Sequence, residues 1–230
     1  MATVMLLCLL FVVVFHEKKI QAEIVNKENH RYRALAIAKE MLQSSEDLTR
    51  MARTYVVTGD VKYERYFLDI LEIRDGKQPR PHNYTSAYWH LAGIGEGLSS
   101  TYGDHYSLHE LMRLAELSAQ EKALLRQSHE NSDELVNLER QAFAAMKGVF
   151  DDGSGDFLLR RAPDQEFAIG LLYGEDYIKN KAKIMAPIEQ FIEQLGTHAQ
   201  TKINSLQHEL ERIILFKLIL LACMIVGVLI

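Results

Sequence analysis

The chain has 230 residues, 48 % of them hydrophobic, and a formal net charge of −5. This length suits one large domain or two small ones, and the interspersed charges leave no basic patch for nucleic acid. The only cysteines, Cys8 and Cys223, lie in apolar runs. The polar middle of the chain therefore has no disulfide framework, cysteine zinc site or cysteine nucleophile.

Both ends of the chain are apolar. Residues 1–15 carry no charge, and residues 213–230 carry only Lys217. A membrane-spanning helix needs about 20 apolar residues, so each run predicts a transmembrane helix that is either minimal or clipped at the border of the sequence. A cleaved signal peptide is the weaker interpretation of the first run, because no positive charge precedes it. Residues 16–212 would form the domain between the two spans.

Helical periodicity dominates this middle part and strand-like alternation is almost absent, which predicts an all-α fold. The first long helix is expected from His16 to Thr58, with Gly59 as its C′ residue. A second helix is expected from Val61 to Asp75, with Asp60 as its N-cap. Residues 76–105 are irregular and hold the only tryptophan.

Three shorter helical segments and one long one follow. A short helix is expected at 107–116, and Ser118 with Glu121 forms a capping-box signature at the start of the next helix. A turn at 151–156 precedes a short helix at 163–173. The last helix starts near Glu175, is expected to kink at Pro187, and continues into the second apolar run. The pattern predicts an elongated antiparallel bundle, similar to a four-helix bundle, whose two long helices are continuous with the membrane segments.

Four segments of the chain resemble the extracytoplasmic sensor region of bacterial methyl-accepting chemotaxis proteins and hybrid sensor histidine kinases. They are SSEDLTRMARTYVVTGD, YFLDILEIRDGKQPRPHNYTSAYWH, NSDELVNLERQAFAAMKGVFDDGSGDF and LLYGEDYIKNKAKIMAPIEQFIEQL. The resemblance implies a periplasmic sensor between two inner-membrane spans, paired as a homodimer and coupled to a cytoplasmic output module. The chain departs from the pattern in its glycine-rich segment after Trp89. It also shows no HAMP, kinase, cyclase or methyl-accepting segment, so we expect a fragment or a truncated receptor.

Two groups of residues are candidates for ligand binding. Arg50 and Arg53, with Tyr55 nearby, suit recognition of a carboxylate or phosphate, because each guanidinium offers a planar fork of donors. The structural alternative is that they form salt bridges to glutamates of a neighbouring helix or face solvent. The second group consists of Arg74, Tyr84, Tyr88 and Trp89. It could cap a small-molecule pocket, or its aromatic rings could fill the membrane-distal end of the bundle.

Other polar residues are interpreted as structural. His105 and His109 have a spacing that can hold a metal, but without an evident third ligand we predict no metal site. Ser128 and Asn131 interrupt an apolar seam and are expected to fix register. Asp133, Asp176 and Lys181 are expected to be surface charges. No catalytic set of residues is detectable, so the chain is predicted to be neither an enzyme nor a cofactor protein.

The leading hypothesis is the sensory part of a chemoreceptor or sensor kinase that recognises a small, anionic molecule or a periplasmic binding protein. Because a continuous helix is stiff, a shift of either long helix would pass directly into the lipid bilayer. The alternative is a membrane-anchored structural tether or oligomerisation stalk without sensing. The sequence downstream of Ile230 would separate the two.

Overall fold

The computed structural model describes residues 2–82, 84–95, 102–103, 105–115, 117–153 and 157–229, with the side chains of residues 2–3 and 227–229 left out. Over these ranges the chain is all-α, as the sequence predicts, with long packed helices. The helices are α1 (Ala2–Thr58), α2 (Val61–Arg74), α3 (Tyr88–Gly93), α4 (Leu108–Leu114), α5 (Ala119–Met146), α6 (Gln165–Tyr173) and α7 (Glu175–Leu229).

Helix ends lie where side chains can satisfy the free backbone groups of the first turn. The Asp60 carboxylate accepts a hydrogen bond from the Lys62 amide at 3.0 Å and so caps α2. Gly59 has a φ of 69°, the left-handed conformation expected after a helix. The capping box of Ser118 and Glu121 is confirmed. A second capping box at the start of α4 uses Glu110, which accepts from the Ser107 amide at 2.9 Å.

A small β-hairpin follows α5, and sequence analysis missed it. Its strands are β1 (Val149–Phe150) and β2 (Leu159–Arg160), which pair antiparallel. Two-residue strands are too short to show alternation, which explains the omission. The base of the hairpin is closed by the Arg161 amide, which donates to the Gly148 carbonyl at 2.9 Å. Gly148 has a φ of +68°, and a Cβ there would lie 2.4 Å from the Arg161 carbonyl oxygen, so only glycine fits.

The chain forms two compact units, residues 34–192 and residues 1–33 with 193–230. Aromatic rings from three helices form the core of the first unit. Phe143 of α5 contacts both Tyr55 of α1 and Phe67 of α2, edge to face, with ring centroids 4.9 Å apart in each pair. Helix α7 adds the buried side chains of Tyr177, Ile184, Ile188 and Phe191.

Pro187 lies inside α7, and the helix is continuous through it. Proline has no amide hydrogen, so the Lys183 carbonyl four residues earlier loses its intrahelical donor. The Asn131 side chain of α5 supplies one at 2.8 Å. Ser128, also on α5, donates to the Ile184 carbonyl at 2.9 Å. Both polar interruptions of the α5 seam therefore hydrogen-bond α7 beside its proline.

The second unit pairs the beginning of α1 with the end of α7 in antiparallel orientation. Glu17 is 2.5 Å from Lys217, and Glu23 is 3.9 Å from Lys202, so the two helices run in opposite directions. Lys217, the single charge of the second apolar run, is thus ion-paired. Many apolar side chains of this unit are exposed, including Phe11, Phe15, Leu215 and Phe216.

In the described part of the chain, no helix combines the length and the apolar character that crossing a membrane requires. The two predicted spans, 1–15 and 213–230, each include a terminal residue outside the described ranges.

Candidate functional site

The unit of residues 34–192 contains a buried group of hydrogen-bonded polar side chains from three helices. We name it the polar cluster: Ser45 and Thr49 of α1, Glu139 of α5, and Tyr177 and Lys181 of α7. Glu139 is 1 % exposed and Tyr177 is fully buried. The Tyr177 hydroxyl lies 2.7 Å from the Glu139 carboxyl and 3.0 Å from the Thr49 hydroxyl. The cluster therefore connects both long helices, α1 and α7, to α5.

The Tyr177 hydroxyl has one hydrogen and two neighbours that can accept it. When Glu139 is ionised, Tyr177 donates to the carboxylate. When Glu139 is protonated, the carboxyl donates to the Tyr177 oxygen, and Tyr177 is free to donate to Thr49. The Thr49 hydroxyl can accept this hydrogen, because its own is directed to the Ser45 carbonyl at 3.0 Å. The charge on Glu139 thus determines whether the Tyr177 hydroxyl donates to Glu139 of α5 or to Thr49 of α1.

Lys181 is part of this cluster, so its prediction as a surface charge is wrong. Its ammonium group donates to the Ser45 carbonyl and hydroxyl, both at 2.7 Å, and to the Thr49 hydroxyl at 3.0 Å. It also pairs with the Glu46 carboxylate at 3.2 Å. Burial lowers the pKa of Lys181, and the charges of Glu46 and Glu139 oppose that effect. Three oxygens and one carboxylate together hold α7 against α1.

Burial raises the pKa of Glu139 to about 7, since an ionised carboxylate is poorly solvated in the core. The hydrogen bond from Tyr177 opposes this shift, as do the positive charges of Lys181, Arg74 and Arg53. Burial also raises the pKa of Tyr177, which stays protonated. Glu139 therefore changes its charge near neutral pH.

Arg53 lies beside the polar cluster. Its Nε donates to the Leu172 carbonyl near the end of α6 at 3.0 Å. Its guanidinium carbon lies 4.6 Å from the Tyr173 ring centroid and 5.0 Å from that of Tyr177, which are cation–π distances. Over the described residues no carboxylate lies within 4.0 Å of the Arg53 guanidinium. Arg53 is therefore fixed in place without a direct ion pair to a carboxylate of the described residues.

Arg50 and Tyr55, the other members of the first candidate group, have structural contacts. The Arg50 guanidinium pairs with the Asp47 carboxylate one helical turn earlier. Its partner is thus an aspartate of the same helix and not a glutamate of a neighbouring one. Asp47 is buried, which raises the pKa of its carboxyl despite this partner. Tyr55 is a core residue against Phe143.

Arg50 and Arg53 both line a groove of about 450 Å³. The groove lies along α1 and reaches Tyr173 at the end of α6. Its lining residues are Glu46, Thr49, Arg50, Arg53, Thr54, Val57, Thr58 and Tyr173.

Arg74, from the second candidate group, is buried against α5. Its two terminal nitrogens donate to the Ser132 hydroxyl at 3.0 Å and to the Asp133 carboxylate at 2.6 Å. These bonds tie the end of α2 to the middle of α5. Asp133, predicted to be a surface charge, is half exposed and serves as the ion-pair partner of a buried arginine.

The remaining members of that group, Tyr84, Tyr88 and Trp89, form a compact set of rings. The Trp89 indole donates to the Tyr84 hydroxyl at 3.0 Å, and the Tyr88 and Trp89 rings lie 5.0 Å apart. Trp89 also packs on Tyr66 of α2, with centroids 5.3 Å apart. Burial raises the pKa of Tyr84. These aromatic side chains pack residues 84–89 against α2. Arg74, the fourth member of the predicted group, contacts α5.

Sequence reasoning missed Glu139, Lys181 and Tyr173 as members of the candidate site. The spacing could have revealed Glu139, because it follows Leu135 by four residues and precedes Ala142 by three, on the predicted core stripe of α5. Tyr173 gave no signal, because its role depends on how the end of α6 meets α1.

The arrangement offers one guanidinium without a direct ion pair in the described groove, next to a buried carboxyl that titrates near neutral pH. These are the elements of an anion-binding site and of a proton-linked switch, and neither is a catalytic arrangement by itself. A scan against protein-family models, a search of curated proteins and a search of solved structures each give no match to this chain.

Proposed function

We propose that this chain is the sensory part of a bacterial transmembrane signalling receptor. Its residues 16–212 would form a periplasmic antiparallel bundle similar to a four-helix bundle, and the apolar runs at 1–15 and 213–230 would anchor it in the inner membrane. The receptor would act as a homodimer and would drive a chemotaxis or sensor-kinase output located in the cytoplasm.

One observation carries this proposal: the polar cluster joins α1 and α7, the same two helices that carry the apolar runs. Within the unit of residues 34–192, Lys181 and Tyr177 of α7 bond to Ser45 and Thr49 of α1. The groove at Arg53 adjoins this cluster, so a ligand or a docking protein there would act directly on the bonds between the long helices. The resemblance of four segments to receptor sensor regions supports the same function.

The switch would follow from differential affinity. A ligand shifts a conformational equilibrium only by the difference between its affinities for the two states. Here the two states would differ in the bonds that the polar cluster makes between α1 and α7. Their displacement relative to each other is the signal that the anchoring helices would transmit.

Membrane topology can be tested with alkaline phosphatase, which is active only after export to the periplasm. We expect activity when the enzyme is inserted at Gly153, in an exposed turn, and no activity when it is fused after Ile230. The opposite pattern, or activity at neither position with the fusions intact, would refute the periplasmic sensor.

Signalling can be tested by fusing the full chain to the cytoplasmic part of a sensor kinase. We expect substitution of Lys181 by methionine to change kinase output in a protein that remains folded, because it removes the ammonium bonds to α1 and keeps much of the side-chain volume. An exposed lysine of the same helix, Lys179, is the control for the same substitution. Equal output from all three proteins would favour the structural tether.

A further inference from the structure

We propose that the groove at Arg53 binds a small monocarboxylate with an apolar body. This inference rests on the proposed sensory function for its biological role, but binding itself is measured independently of that role.

The Arg53 guanidinium is held in position and still has donors to offer. Its Nε is used by the Leu172 carbonyl, and the Tyr173 and Tyr177 rings lie within cation–π distance. The two terminal nitrogens carry four N–H groups, and within the described residues none of them bonds a carboxylate. A carboxylate that approaches a guanidinium in its plane accepts two parallel N–H bonds, and the terminal nitrogens of Arg53 are the donors for such a pair.

The charges of the groove favour an anion with a single charge. Arg50 is neutralised by Asp47, and Glu46 is paired with Lys181. Arg53 is then the one lining cation in the described groove that lacks a carboxylate partner. A phosphate dianion or a dicarboxylate therefore matches this charge less well than a monocarboxylate.

The groove also offers apolar contact. Val57 is 51 % exposed and Tyr173 is 49 % exposed, and both line the groove with Arg53. Burying these surfaces under a ligand is favourable in proportion to the apolar area removed from water. The volume of about 450 Å³ is within the range of small-molecule sites. An aromatic or branched carboxylate fits both features.

Calorimetry on the purified full chain in lipid nanodiscs provides the test, with benzoate and acetate as probes. We expect saturable binding of both carboxylates at millimolar concentration or below, and tighter binding of benzoate. Benzamide, which has the same shape without the charge, should bind at least about tenfold more weakly, because a charged hydrogen-bond pair is lost. Inorganic phosphate should bind more weakly than benzoate.

Arg53→Gln should weaken benzoate binding by about tenfold or more. Arg140→Gln is the matched control, since it removes an exposed arginine of α5 that does not line this groove. If Arg53→Gln does not fold, Arg53→Lys retains the charge without the planar fork, and weaker benzoate binding is still expected. Tyr173→Leu should reduce the ratio of benzoate affinity to acetate affinity.

The inference is overturned if neither carboxylate binds, if phosphate or benzamide binds as tightly as benzoate, or if Arg53→Gln and Arg53→Lys both leave affinity unchanged. The phosphatase fusions report on membrane topology alone. A failure of carboxylate binding is therefore distinguishable from a failure of the proposed receptor function.

Discussion

At the scale of single residues, Glu139 places a carboxyl group where ionisation is costly. An exposed glutamate has a pKa of 4.5, and burial raises that of Glu139 to about 7. Between these values the folded protein binds a proton that the unfolded chain releases. Since stability rises with pH only where the unfolded state binds more protons, Glu139 makes stability fall as pH rises from about 4.5 to about 7.

We expect Glu139→Gln to remove this dependence of stability on pH. A difference of roughly 2.5 pKa units corresponds to about 3 kcal/mol of unfolding free energy, so the variant should be more stable than the natural protein above pH 7 by up to this amount. Glutamine is similar in shape and can bond to Tyr177 without a charge. The measurement is the thermal unfolding midpoint, followed by circular dichroism across the pH range.

A control for this experiment is Glu134→Gln, which changes an exposed carboxylate of the same helix. Burial also raises the pKa values of Glu40 and Asp47, and their contributions are common to all three proteins. A difference between Glu139→Gln and the natural protein that does not vary with pH would contradict the assignment of the buried proton to Glu139.

At the scale of secondary structure, α5 compensates for the proline in α7. Helix-interior proline is about 3 kcal/mol less favourable than alanine, in part because it leaves a carbonyl without its donor. Asn131 donates to that carbonyl, the one of Lys183, across the interface. The pair Asn131 and Pro187 should therefore be energetically coupled, although the two residues lie on different helices.

A double-mutant cycle measures this coupling. Asn131→Ala alone should cost about 1 kcal/mol, the typical value of a hydrogen bond. Pro187→Ala should stabilise the protein by less than about 3 kcal/mol, since Asn131 already satisfies the carbonyl. In the Pro187→Ala background, Asn131→Ala should cost almost nothing, because the new amide at position 187 takes over the bond. Equal costs in the two backgrounds would show that the residues are independent.

The elements themselves were largely predictable from local rules. Asp60, Ser118 and Gly59 mark helix ends through chemistry that acts within a few residues, so their positions follow from sequence. The partners of Lys181 and Asn131 were not predictable, because each is set by a contact across more than fifty positions in the chain. Sequence periodicity predicted the long helix α7, but it could not show which polar groups its buried face meets.

At the scale of the whole unit of residues 34–192, the groove and the polar cluster share one electrostatic environment. The charge of Arg53 favours ionisation of Glu139. A carboxylate bound to Arg53 offsets that charge, so it should raise the pKa of Glu139 further. Carboxylate binding would then take up protons at neutral pH, and affinity would fall as pH rises.

We expect benzoate affinity to decrease between about pH 6 and about pH 8, by no more than about tenfold per pH unit. Benzoate stays ionised over this range, so the change would report on the protein. Calorimetry in buffers of different ionisation enthalpy measures the protons taken up directly. Glu139→Gln should retain benzoate binding and lose the proton uptake, and undiminished uptake in this variant would contradict the linkage.

The hairpin at residues 149–160 has a practical consequence for such measurements. Its base is closed by backbone bonds between Arg161 and Gly148 and between Asp164 and Ala145, so residues between them can lengthen without separating its ends. Each doubling of a flexible loop costs only about 0.6 kcal/mol. The exposed Gly153 is therefore a suitable insertion point for a fluorescent reporter, which would follow binding in living cells without altering the groove.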